Sequence, residues 1–148
     1  MNAANEVNQI SHVIQLSVAP VFLLTGVGAM LNVLSNRLSR TVDRARAFEA
    51  RYATAGTAEQ DLLRFQLKLQ ARRCRLIYAA MALCVVCALL ICSVIVALFA
   101  SSFFATGLAL LIASLFVAAM LAFIAALVLF LREVRLATSN LRIGPPAL

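Results

Sequence analysis

Asn8, Ser11, Gln15, Val18, Phe22, Thr25, Ala29, Asn32 and Asn36 follow one another at alternating steps of three and four residues. On a helix that spacing draws one straight stripe, and most of its members carry an amide or a hydroxyl. A lone helix in hydrocarbon gains nothing by presenting such groups to lipid, so the stripe is expected to face other helices or water. Two kinds of chemistry fit it. In a homo-oligomeric channel, copies of this helix surround an axis, with Ser11, Gln15, Val18, Phe22, Thr25, Ala29, Asn32 and Asn36 lining the pore. Gln15, Thr25 and Asn32 then wet the path, and Val18 and Phe22 form a hydrophobic constriction. In a non-conducting structural or regulatory protein, the same groups supply hydrogen bonds between helices.

The basic run that follows places Arg37, Arg40, Asp43 and Arg44 at the inner mouth of such a pore, with ions as the conducted species. Asp43 can pair with arginines on its own helix or on a neighbouring subunit, against the plainer reading of a solvated surface pair. His12, the single histidine, is either an ordinary interfacial side chain or a ring of pH-sensing or metal-binding groups in an oligomer. Cys74, Cys84, Cys87 and Cys92 read as reduced packing residues. Cys84-x-x-Cys87 lacks the further Cys or His that a metal or redox site needs. No serine or cysteine has a histidine base nearby, and no metal-ligand cluster or membrane-embedded carboxylate is apparent, so neither an enzyme nor a cofactor is expected. A proton-coupled transporter is disfavoured for want of an ionisable relay and an internal repeat.

The elements that must position these residues follow from composition. The chain of 148 residues is 64% hydrophobic and only 13% charged, with a mean hydropathy of +0.97, far outside the range of soluble domains. An all-α integral membrane protein is expected. Three stretches, 10–34, 76–100 and 107–131, contain no Asp, Glu, Lys or Arg and are long enough to cross a hydrocarbon core of about 30 Å. Residues 1–9 offer no cation and the apolar run is long for a signal peptide, so the first span reads as retained.

The connection 35–75 holds ten of the thirteen Lys and Arg residues and the tail 132–148 holds Arg132, Arg135 and Arg142. The opposite side has Glu6 and the uncharged turn 101–106. The positive-inside rule therefore expects the N-terminus outside and the C-terminus in the cytoplasm. The net charge of +7 reflects this bias and attraction to anionic lipid rather than a nucleic-acid partner.

Residues 35–52 lack Pro and Gly, and Leu38, Val42, Ala45, Phe48 and Tyr52 recur at helical spacing, so the first helix should continue into the cytoplasm. Residues 53–56 break it. Thr57-Ala58-Glu59-Gln60 reads as a capping box that starts a second helix running into the second span. The expected product is a cytoplasmic helical hairpin, coiled-coil in character, formed by extensions of helices 1 and 2. Its second arm has apolar residues on two adjacent faces, Leu62, Phe65, Leu69, Arg72 and Leu76 marking one and Leu63, Leu67 and Cys74 the next. One would meet the hairpin partner and the other a neighbouring subunit or a cytoplasmic protein. Ala80, Cys84, Ala88 and Cys92, and Ser114, Ala118, Ala122 and Ala126, form small-residue ridges where the last two spans would approach. Pro20 should kink the first span, and Gly26 and Gly28 should admit close helix approach.

The segments Ile14-Gln15-Leu16, Pro20-Val21-Phe22-Leu23-Leu24, Gly26, Asn32 and Arg37-Leu38-Ser39-Arg40-Thr41-Val42-Asp43-Arg44-Ala45-Arg46 resemble the bacterial membrane proteins grouped as domain of unknown function 2721. The resemblance is strong over the first third of the chain and extends to the three-span layout. It implies a small protein of the bacterial inner membrane and brings no assigned activity, substrate or catalytic residue.

Overall fold

The computed structural model describes residues 3–103 and 108–139, and their side chains except those of 3–10, 57–58, 102–103 and 138–139. The readings placed on Glu6, Asn8, the Thr57 hydroxyl, residues 104–106 and Arg142 fall outside these. Within them the regular structure is all helical: α1 spans Ala3–Tyr52, α2 Thr57–Phe103 and α3 Ala109–Ser139. Segments Ser11–Tyr52, Glu59–Ser101 and Ala109–Ala137 are long and apolar enough to cross a membrane. No more than 22% of the most apolar window of any of them is buried within the chain. Such outward-facing apolar surface fits a multi-pass membrane protein, where lipid covers what the fold does not.

α1 runs through Pro20 without a break and stops at Tyr52, and α2 starts at Thr57. The intervening turn is closed by the Gly56 carbonyl, which accepts from the amides of Glu59 and Gln60 at 3.0 Å. The Gln60 side-chain amide donates to the Ala55 carbonyl at 3.1 Å. Arg64 donates to the Tyr52 hydroxyl at 2.7 Å, and its guanidinium lies over the same ring, tying the two helix ends together.

Two compact units divide the chain. The first comprises Met1–Leu31 and Ala82–Ala125. Its buried residues are Ser17, Pro20 and Val27 of α1, Cys84, Cys87, Ile91 and Val94 of α2, and Ala119 of α3. The second comprises Asn32–Met81 and Ala126–Leu148, and buries Leu34 and Thr41 of α1, Leu63, Gln70, Ile77 and Ala80 of α2, and Ala126 and Glu133 of α3. In both units the buried positions recur at three, four or seven residues, the spacing of helices that cross at a shallow angle.

That spacing departs from the expected ridges. Ala80, Cys84 and Ala126 of those ridges are buried, but Cys92, Ser114 and Ala118 are exposed, and Ala88 and Ala122 only half-buried. Successive four-residue steps overshoot a full turn by about 40° each, so such a ridge walks off the contact, whereas alternating threes and fours return to it. Gly26 and Gly28 also differ: a Cβ at either would meet nothing within 4 Å, so no helix of this chain exploits them. Leu63 is buried while Leu62 and Phe65 are 70% and 60% exposed. The Leu63 face therefore belongs to the chain's own packing, and the Leu62 face is the open one.

Several hydroxyls within the helices satisfy themselves locally. Ser17, Thr41 and Ser93 donate to carbonyls four residues back, and Ser101 and Ser114 to carbonyls three residues back, at 2.7–2.9 Å. The exposed ones, Ser93 and Ser114, can therefore face lipid at little cost.

Candidate functional site

α3 does not end where its apolar run ends. Arg132 and Glu133 close the hydrophobic window, but the following residues contain no Pro or Gly before Gly144, and the helix continues to Ser139. Seven residues on from buried Ala126, the register turns Glu133 inward, and its side chain is 1% exposed. Arg37 lies between inward-facing Leu34 and Thr41, and Arg73 between Gln70 and Ile77. The same packing register thus brings two arginines to the one carboxylate.

Arg73 donates to Glu133 Oε1 from Nε at 3.2 Å and from Nη2 at 2.9 Å. On the other side, Arg37 Nη2 stands 3.0 Å from Oε2, although Oε2 accepts no well-aligned hydrogen bond. That contact is therefore chiefly electrostatic. The Arg37 guanidinium also lies 5.1 Å from the centroid of the Phe130 ring, a second attraction for the same cation. Arg37 and Arg73 retain 31% and 16% of their side-chain exposure, so the cations keep partial contact with solvent while the anion has none. A carboxylate removed from water in this way requires its partners, because an isolated buried charge is strongly unfavourable.

Beside this cluster Arg37, Arg40, Thr41, Arg44 and Arg73 line a cavity of about 300 Å³. Arg40 and Arg44 are exposed and form no ion pair with any described residue. Asp43 is likewise exposed, pairs with no described arginine, and does not line the cavity. Of the residues read as an inner mouth, Arg37 is the one turned into the fold.

Every described member of the polar stripe is exposed: Ser11, Gln15, Val18, Phe22, Thr25, Ala29, Asn32 and Asn36. Phe22 is the most open of the described large apolar side chains on α1, at 72%. Thr25 donates to the Phe22 carbonyl at 2.8 Å, and the Asn36 amide to the Asn32 amide oxygen at 3.3 Å. Gln15 bonds to no described residue. The buried face of α1 is a different one, so α2 and α3 of the same chain leave the stripe uncovered. His12 is exposed as well, and the described residues contain no group of three or more His, Cys, Asp or Glu that could hold a metal. All four cysteines are free, with Cys84 and Cys87 buried.

Sequence reasoning passed over Glu133 because it lies just outside the apolar window. A signal was present: it is the only acidic residue after Asp61, and it stands two heptads beyond Ala119 in a helix with no breaker between them.

No curated protein and no solved structure matches the chain. The model of one family, described as a protein of unknown function (DUF2721), matches residues 17–143. That match covers both the stripe from Val18 onward and the Arg37, Arg73 and Glu133 cluster, and the chain belongs to this family.

Proposed function

We propose that this protein is a homo-oligomeric channel of the bacterial inner membrane, with α1 lining the axis, the N-terminus outside and the hairpin 35–75 and the C-terminus in the cytoplasm. The observation that carries this reading is the exposure of every described member of the α1 stripe, from Ser11 to Asn36. The hydroxyls of Ser17, Ser93 and Ser114 are satisfied by their own helices, but the amides of Gln15 and Asn32, inside the span 10–34, retain donors and acceptors that hydrocarbon cannot meet. Copies of α1 around a hydrated axis would meet them. Val18 and Phe22 then form rings that shed water when narrow, a barrier to ions even where the radius would admit them. Arg40 and Arg44 near the inner end favour anions through local potential, a preference weakened by Asp43 and by salt.

A second reading has its own observation. Leu62 and Phe65 are open on the hairpin arm of α2, which fits a non-conducting scaffold whose hairpin docks another protein or another copy. Planar bilayers reconstituted with wild type, Phe22→Ser and Gln15→Leu separate the two. The channel predicts that Phe22→Ser raises conductance. Absence of current from all three, while each remains assembled across a broad range of voltage and pH, would favour the scaffold.

A further inference from the structure

Four arginines, Arg37, Arg40, Arg44 and Arg73, line one cavity of about 300 Å³ together with Thr41. Among the described residues the one carboxylate paired with any of the four is Glu133, which does not line the cavity and is committed to Arg37 and Arg73. Arg37, Arg40 and Arg44 recur at steps of three and four on one helix, where like charges repel one another. The arrangement gains most from an anion that engages several guanidiniums at once. Glu133 and Phe130 hold two of the four in place, so part of the ordering cost of binding is met by the fold.

From this geometry we infer that the cavity binds a phosphate group, its oxygens held by Arg40 and Arg44 against a wall of Arg37 and Arg73. Planar guanidiniums match phosphate oxygens through paired N–H donors, and several of them spread its double charge better than a lone lysine would. The volume lies at the lower end of small-ligand sites, enough for a phosphate and a short substituent. The group belongs either to a soluble phosphate compound or to the headgroup of an anionic lipid. The site does not depend on conduction, and its test is blind to whether the stripe passes ions.

The experiment uses full-length protein in nanodiscs of neutral phosphatidylcholine. One arm titrates inorganic phosphate and glycerol 3-phosphate by calorimetry; the other measures phosphatidic acid retained on the protein by native mass spectrometry. Arg40→Gln with Arg44→Gln removes the two exposed cations of the site without touching Glu133. Arg46→Gln with Arg75→Gln removes the same charge from exposed positions that do not line the cavity. In whichever arm wild type binds, the first pair should weaken binding by about tenfold or more, and the second by less than about threefold. Binding in the soluble arm alone identifies a free phosphate compound, and binding in the lipid arm alone a headgroup. Equal weakening by both pairs would reduce the site to general basic attraction and overturn the inference, as would the absence of binding in both arms.

Discussion

Replacing Glu133 by Gln preserves volume and removes the charge that Arg37 and Arg73 share. The Arg73 contacts, at 3.2 and 2.9 Å to one oxygen, are of the charge-assisted kind, and the Arg37 contact at 3.0 Å adds electrostatic attraction. Breaking a buried ion pair by removing one partner typically costs about 3–5 kcal/mol. Here the residual exposure of Arg37 and Arg73, 31% and 16%, lets water partly solvate the abandoned cations, so about 2–4 kcal/mol is expected. Arg37→Met should cost less, about 1–2 kcal/mol, because Arg73 still holds the carboxylate through both of its donors. The triple replacement Arg37→Met, Arg73→Met and Glu133→Leu should fall within about 1 kcal/mol of wild type, since an apolar core of similar volume needs no desolvation of charge. Equilibrium unfolding in mixed micelles of mild detergent and SDS, followed by circular dichroism and a fluorophore on the hairpin, measures all three. A Glu133→Gln protein within about 0.5 kcal/mol of wild type would refute the argument that the charges of this cluster depend on one another.

Gln70 is buried and its Oε1 has no hydrogen-bond partner among the described residues, so Gln70→Leu should stabilise the same unit by about 1 kcal/mol in the same titration. An unchanged or lowered midpoint would mean that the amide is satisfied in the assembled protein. Leu62→Glu with Phe65→Glu should lower the oligomer mass measured in detergent while the helix content stays constant; a wild type that is already monomeric would remove both the assembly and the pore. Single cysteines at Asn5 and Ser102 in a cysteine-free background should react with an impermeant thiol reagent in intact cells, and one at Gly56 should not. Labelling at Gly56 alone would invert the orientation expected from the basic connection.

The sequence determined the class and the elements because both depend on local properties. Hydropathy alone selects the three apolar helices, and the absence of Pro and Gly from 35 to 52, followed by Ala53-Thr54-Ala55-Gly56, fixes the end of α1 at Tyr52 and the start of α2 near Thr57. The stripe on α1 was also legible, since helical spacing is set by backbone geometry. Which face of each helix turns inward was not. Small residues at four-residue steps suggested one contact, yet the packing chose heptad-related rows such as Leu63, Gln70 and Ile77, because burial is decided by how three helices fit together. The same tertiary register buried Leu63 while leaving Phe65 open, and left Gly26 and Gly28 facing empty space. It also gathered Arg37, Arg73 and Glu133 from three separate helices. A charge that reads in sequence as the hydrophilic end of a span became the buried anion between two cations, through an interaction that no local window contains.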